Sequence, residues 1–148
     1  MGIFNDRKKR NKNRDYEIQI DTGVAKKYGC DISERMMTDL CELSEDIVIG
    51  NLSYREAISQ LEDSYGKNHY IREGNQRLVL IPHDDEYVIK IAKLPGWESL
   101  TNNENEFDTF MKYHTLSVHR KKHYFPVPIY QIGSEEHEAL VIVQERFQ

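Results

Sequence analysis

The sequence contains little cysteine and no long hydrophobic segment. Cys30 and Cys41 are its only cysteines, too few for a disulfide framework or for a zinc site made of four thiolates. No apolar run approaches the ~20 residues that cross a bilayer, and the N-terminus has no apolar signal segment. The sequence therefore predicts reduced thiols, no membrane partner and a cytoplasmic location.

Complete catalytic and metal-binding motifs are also lacking. The sequence has no G-x-S-x-G elbow of the serine hydrolases. His114, His119 and His123 have a spacing found in zinc sites, but lysines and arginines beside them would repel a divalent cation. We therefore predict a solvated basic loop over residues 114–123, with no metal site and no catalytic residues.

The charge of the chain is unevenly distributed. Its formal net charge is −5, yet residues 6–14 hold six basic side chains and one acidic one. We predict that residues 1–14 are a disordered basic tail on an acidic body. Such a tail can attract nucleic acid or an acidic partner by Coulomb forces, or serve only as a solubilising terminus. The candidate nucleic-acid-binding residues are Arg7, Lys8, Lys9, Arg10, Lys12 and Arg14.

Residues 31–65 predict a helical hairpin. A capping box at Asp31 and Glu34 precedes apolar residues spaced by four, four, three and four positions, which is one face of a helix. A second capping box at Ser53 and Glu56 precedes a second apolar stripe. The hairpin is rich in acids, which argues against a helix-turn-helix that reads DNA and favours a packing element or a protein-interaction surface.

The rest of the chain changes to the order β-β-β-α-β-β. Three strands separated by turns are followed by one helix and then by two strands around a Gly-Ser hairpin turn. The strands are predicted from residue 70, over 78–81, over 87–92, over 127–132 and over 139–143, and the helix over 102–113.

These patterns predict an α+β fold. It consists of a five-stranded antiparallel sheet with one packed helix, preceded by the helical hairpin. Tyr16, Ile18 and Ile20 alternate like a strand over a few residues only and are not counted among the five. The predicted divisions are a tail over 1–14, a helical extension over 15–66 and a sheet domain over 67–148.

The order of elements and two charged residues resemble a known family. Val88-Ile89-Lys90 lies on the third predicted strand of the sheet domain, and Glu106 lies sixteen residues after the lysine, in the helix that follows. This arrangement resembles the small N-terminal lobe of the protein-kinase-like family. The run from Gly74 to Ala92, followed by Asn103 and Glu106, is similar, more narrowly, to kinase-like proteins of halophilic archaea and their viruses. The resemblance covers residues 69–148.

The resemblance implies a nucleotide site. In the family, a strand lysine contacts the α- and β-phosphates of ATP, and a helix glutamate fixes that lysine. Lys90 and Glu106 would take these roles, with Gly74 and Arg77 as further candidate nucleotide-binding residues and ATP with Mg²⁺ as the cofactor. The alternative is an ion pair between Lys90 and Glu106 that has a structural role only.

Three departures from the family predict that the chain is not an active kinase. Gly74 is the one glycine of the first turn, where the family has several, and Glu73 beside it would repel phosphate. The chain ends near the expected hinge at 144–147, before the lobe that supplies the catalytic and metal-binding residues. The N-terminal extension cannot replace that lobe. Asp46 and Asn51 have the D-x-x-x-x-N spacing of a catalytic loop, but they lack the preceding His-Arg and come before the small lobe.

Three functions follow as expectations. The first is a non-catalytic, pseudokinase-like module that binds a protein partner or a nucleotide. The second is a structural or assembly subunit that self-associates through open sheet edges. The third is a nucleic-acid-associated accessory protein of a virus or plasmid that uses the basic tail. A viral origin would make the protein virion-associated instead of cytoplasmic.

Overall fold

The computed structural model describes residues 16–21, 25–30, 32–93, 98–120 and 126–146. The predicted basic tail, with its six candidate residues, lies outside these ranges, as do positions 121–123 of the predicted basic loop. The elements are β1 (Glu17–Asp21), a 3-10 helix (Ala25–Tyr28), α1 (Glu34–Val48), α2 (Tyr54–Tyr65), β2 (His69–Glu73), β3 (Arg77–Pro82), β4 (Tyr87–Ala92), α3 (Glu98–Arg120), β5 (Pro128–Gly133) and β6 (Val141–Glu145).

The strands form one antiparallel sheet in the order β1-β5-β6-β4-β3-β2. The predicted α+β class is confirmed, and each of the five predicted strands is present. The sheet has a sixth strand, β1, which contains Ile18 and Ile20 and pairs with β5, so that Glu17 lies opposite Gly133. The alternation of apolar residues was too short to predict β1, because a bulge between Ile18 and Ile20 interrupts it and the partner strand is distant in sequence.

Helices cover both faces of the sheet. Neighbouring residues of a strand point to opposite faces, and β4 shows the consequence. Ile89 packs in a hydrophobic cluster with Leu40 of α1 and Leu61 of α2. Lys90, the next residue, instead contacts Glu106 of α3. We call the side with α1 and α2 the hairpin face and the other side the α3 face.

Serine side chains cap the two helices of the hairpin. Ser33 precedes α1, and its Oγ accepts a hydrogen bond from the Met36 N–H at 3.1 Å. Asp31, the predicted cap, lies outside the described residues. The predicted cap of α2 is confirmed, because Ser53 Oγ accepts from the Glu56 N–H at 3.2 Å and donates to Glu56 Oε1 at 3.0 Å. Each cap satisfies a main-chain N–H that has no partner within its helix.

Helix α3 is longer than predicted. The sequence pattern predicted a helix over 102–113 and a loop after it, but α3 continues to Arg120. Glycine and proline are absent from residues 98–120, and the next proline is Pro126. The polar run was interpreted as a loop from its composition, although none of its residues breaks a helix.

One hydrophobic core joins the helical hairpin to the sheet. The main cluster of buried residues contains Leu40 and Leu61 from the helices, and Leu78 and Ile129 from the strands. Residues on both sides of position 66 therefore share this core. The hairpin covers the centre of the sheet and leaves the α3 face for the polar residues of the candidate site.

Candidate functional site

Lys90 and Glu106 meet between β4 and α3. The register of the sheet sets Lys90 opposite Val79 of β3 and opposite Ile142 of β6, so its side chain stands on the α3 face. Lys90 Nζ donates a hydrogen bond to Glu106 Oε1. The structure thus brings together the two residues that the sequence analysis paired.

Arg77 is a second cation on the same carboxylate. Its Nη1 forms an ion pair with Glu106 Oε2 and donates a hydrogen bond to Asn103 Oδ1 at 3.3 Å. Two cations and one anion leave the cluster of Arg77, Lys90 and Glu106 with a net charge of one positive. All three side chains are about one-fifth exposed or less, so solvent weakens this charge only in part.

Two buried amides complete the cluster, and the sequence analysis did not assign them to the site. The side-chain amide of Gln144 on β6 lies beside both partners, and in the orientation that satisfies its hydrogen bonds it accepts from Lys90 Nζ at 3.0 Å and donates to Glu106 Oε1 at 3.1 Å. Asn103 Nδ2 donates to Ala139 O at 3.0 Å, which ties α3 to the loop before β6. One signal could have identified Asn103: it lies three residues before Glu106, on the same face of the helix.

Burial and charge act differently on the two partners of the ion pair. Burial lowers the pKa of Lys90 below its ordinary value, and the hydrogen bond and charge of Glu106 do not fully offset this effect. Burial also disfavours the ionised form of Glu106, but the hydrogen bond and charge of Lys90, together with Arg77, outweigh it and lower the pKa of Glu106. The carboxylate is therefore well compensated, whereas the lysine shares its single counter-ion with Arg77 and keeps unrelieved positive charge.

An open groove lies beside this positive charge. It has a volume of about 500 Å³, and Lys90 and Arg77 contribute to its wall. The turn between β2 and β3 forms one side, and the Gly74 N–H donates to Arg77 O at 2.9 Å. A Cβ at Gly74 would lie only 3.1 Å from that same oxygen, so the turn favours glycine. The lining residues are Gly74, Asn75, Gln76, Arg77, Val79 and Lys90.

Glu73 does not face the groove. The prediction that its carboxylate repels phosphate is corrected by the position of the side chain. Glu73 lies opposite Leu78, a residue of the core on the hairpin face. Its Oε1 accepts from Lys93 Nζ at 3.1 Å. The alternation of the strand therefore removes this negative charge from the side of the sheet that carries Arg77 and Lys90.

Within the ranges that the structure covers, no group of three or more His, Cys, Asp or Glu side chains could hold a metal ion. No helix in those ranges is long and apolar enough to cross a membrane.

Comparisons with protein-family models, with curated proteins and with solved structures find no match for this chain.

Proposed function

We propose that the chain is a non-catalytic binding module that holds the phosphate groups of a nucleotide with Lys90 and Arg77. The observation that carries the proposal is the Lys90–Glu106 contact between a central strand and the following helix, beside an open groove. In protein kinases, a strand lysine paired with a helix glutamate contacts the nucleotide phosphates. The order of strands and helix around the pair is the one expected for a kinase-like small lobe.

The charge of the cluster supports an anionic ligand. Lys90 and Arg77 share the carboxylate of Glu106, and burial lowers the pKa of Lys90. A phosphate oxygen in the groove would supply the missing negative charge and would raise the pKa of Lys90 again. Arg77 can offer a planar fork of donors to the same ligand, which suits phosphate geometry.

The proposal is limited to binding. Phosphoryl transfer by kinases uses carboxylates that hold Mg²⁺ and a base that orients the acceptor hydroxyl. None of the described residues that line the groove is a carboxylate, and Glu106 already contacts two cations. We therefore assign recognition of phosphate, and no transfer step, to this chain.

Calorimetric titration with ATP, with and without Mg²⁺, tests the proposal. We expect saturable binding that Lys90→Met and Arg77→Met each weaken at least about tenfold, because each variant removes one cation and keeps most of the stem. Lys67→Met is the matched control, since Lys67 is exposed in the turn before β2, away from the groove. Far-UV circular dichroism on each variant checks that the fold is retained.

Two results would contradict the proposal. One is the absence of saturable binding at about 5 mM nucleotide, far above the range of functional sites. The other is binding that Lys90→Met and Arg77→Met leave unchanged. Adenosine and inorganic tripolyphosphate, titrated separately, show whether the base or the phosphates supply the affinity. If no nucleotide binds, Lys90 and Glu106 are left with the structural role that the sequence analysis kept as the alternative.

A further inference from the structure

Strand β2 forms one edge of the sheet, and its outward hydrogen-bonding groups can be identified. The Gly74 N–H donates to Arg77 O at 2.9 Å, and the His83 N–H donates to Asn68 O at 3.1 Å. Residues 68 and 74 thus bond toward β3 at the two ends of β2. Because the direction of main-chain groups alternates along an antiparallel strand, residues 70 and 72 also bond toward β3. His69, Ile71 and Glu73 therefore point their N–H and C=O groups outward.

Within the described part of the chain, these outward groups are available to another strand. Among the residues that the structure describes, the one hydrogen bond to them comes from Arg72, whose Nη1 donates weakly to Ile71 O at 3.3 Å. That side chain is exposed and can move away. Tyr70 is also exposed, at 46%. An edge of this kind is a template for pairing with a further strand.

The sequence of β2 is complementary to itself. If two copies of His69–Glu73 run antiparallel about a two-fold axis at Ile71, each His69 lies opposite the partner's Glu73. Each Tyr70 then lies opposite the partner's Arg72. The first contact pairs a base with an acid, and the second pairs a cation with an aromatic ring. Arg72 already lies 5.2 Å from the centre of the Tyr70 ring within one chain, so these groups suit one another on this side of the sheet.

We propose that two copies of the chain associate through antiparallel pairing of β2 with β2, centred on Ile71. In this register the residues whose main-chain groups point outward lie opposite one another: residue 69 faces residue 73 of the other copy, and residue 71 faces residue 71. Each of these pairs can exchange two main-chain hydrogen bonds, which gives about six in total. The two sheets then form one continuous sheet, and the interface is closed by its own symmetry.

The other edge of the sheet does not offer the same match. A two-fold pairing of β1 with itself would set Glu17 opposite Asp21, and two acids facing each other destabilise a strand pair. Strand β1 also carries a bulge between Ile18 and Ile20, and bulges protect edges from pairing. The association is therefore expected at β2 and not at β1.

The proposed pairing of β2 with β2 does not depend on nucleotide binding, but it would fix the positions of the two grooves relative to each other. Lys90 pairs with Val79, and Val79 pairs with Arg72 of the edge strand. The two copies of Lys90 would then be separated by five strand spacings, roughly 24 Å. Both grooves would open on the same side of the joined sheet. The strands are short, so the dimer is expected to be weak and dependent on concentration.

Sedimentation equilibrium on the full chain from about 10 μM to about 1 mM tests the proposal. Ile71→Pro removes an outward N–H without removing a bond to β3, a position at which edge strands tolerate proline. We expect it to raise the dissociation constant of the dimer at least about tenfold. Ile71→Ala is the matched control, because it also loses the side chain but keeps the N–H. Circular dichroism and thermal melting confirm that both variants fold.

A charge exchange tests the register without touching the main chain. Tyr70→Lys sets a lysine opposite the partner's Arg72 on both sides of the axis, and we expect about tenfold weaker association. Adding Arg72→Glu to Tyr70→Lys creates two opposite-charge pairs and should restore the affinity to within about threefold of the original. Both positions are exposed, so neither substitution disturbs the core.

Amide hydrogen exchange supplies an internal control. The amides of His69, Ile71 and Glu73 should gain protection as the concentration rises, whereas those of Tyr70 and Arg72 should be protected throughout. A chain that stays monomeric up to about 1 mM overturns the proposal. So does a dimer that Ile71→Pro and Tyr70→Lys leave intact, or one whose formation adds no protection to the amides of His69, Ile71 and Glu73.

Discussion

Arg77 and Lys90 contact the two oxygens of a single carboxylate. Arg77 reaches Glu106 Oε2, and Lys90 reaches Glu106 Oε1. Since Arg77 starts β3, Lys90 is in β4 and Glu106 belongs to α3, this carboxylate connects two strands to the helix. Asn103 adds a second connection, because it accepts from Arg77 and donates to Ala139 O. The position of α3 and the charge at the groove are therefore coupled.

Glu106→Gln should destabilise the fold. The substitution leaves Arg77 and Lys90 partly buried beside each other without a counter-ion, and we expect the free energy of unfolding to fall by about 2 kcal/mol. Lys90→Met should cost less, because Arg77 still compensates Glu106 and the burial cost of the lysine disappears. Urea denaturation at neutral pH measures both.

The matched control for this prediction is Glu104→Gln. Glu104 is on the same helix and is exposed, so its loss should change the stability by less than about 0.5 kcal/mol. Equal effects of the two glutamate substitutions would show that the contacts of Glu106 contribute nothing specific to the fold.

The stabilisation from Glu106 should disappear in acid. Its pKa is lowered in the folded protein from an ordinary value of 4.5, so the unfolded chain takes up its proton first as the pH falls. The difference in stability between the original chain and Glu106→Gln should be constant above about pH 5 and should shrink as the pH falls through the lowered pKa. Urea denaturation at a series of pH values from about 7 to about 2.5 measures this difference. A difference that grows in acid would contradict the assignment.

The parts of the fold that could be predicted from the sequence are those determined by residues close to one another along the chain. Strand β4 was predicted with its observed bounds, because a polar turn precedes it and its residues are strongly β-forming. The cap of α2 at Ser53 could be predicted because serine and glutamate at that spacing satisfy helix N–H groups. Strand β1 depends on a partner distant in sequence, and such pairing leaves little trace in a short, bulged segment.

The candidate site was predictable only in part. Lys90 and Glu106 were paired because their positions in the order of strands and helix resemble those of a lysine and a glutamate in the small lobe of protein-kinase-like proteins. Gln144 was missed as a partner because only the pairing of β4 with β6 brings it to Lys90. The orientation of Glu73 follows from strand alternation once the register is known, and the register is a property of the folded sheet.

Tyr28 should make the protein less stable in alkali. Burial, a hydrogen bond to Glu145 and the charges of Glu145 and Glu86 raise the pKa of Tyr28 to about 12 from an ordinary value of 10.0. Between these pH values the folded chain keeps a proton that the unfolded chain loses, so stability falls as the pH rises. Tyr28→Phe should remove this part of the decline between about pH 10 and about pH 12. Urea denaturation over that range measures it, with Tyr54→Phe at an exposed tyrosine as the control. An unchanged decline in Tyr28→Phe would contradict the environment assigned to Tyr28.

The two cysteines should differ sharply in reactivity. Cys41 is fully buried, and burial, with a further contribution from the charge of Glu45, raises the pKa of its thiol far above the ordinary range. Alkylating reagents attack the thiolate, so iodoacetamide at neutral pH should modify Cys30, which is partly exposed, and leave Cys41 intact. Mass spectrometry of the digested protein locates the adduct, and a sample unfolded in urea, where both residues should react, is the control.

Because Cys41 becomes accessible only when α1 separates from the sheet, its rate of modification in dilute urea should follow global unfolding. Equal rates for Cys30 and Cys41 in the folded protein would show that α1 leaves the sheet without global unfolding.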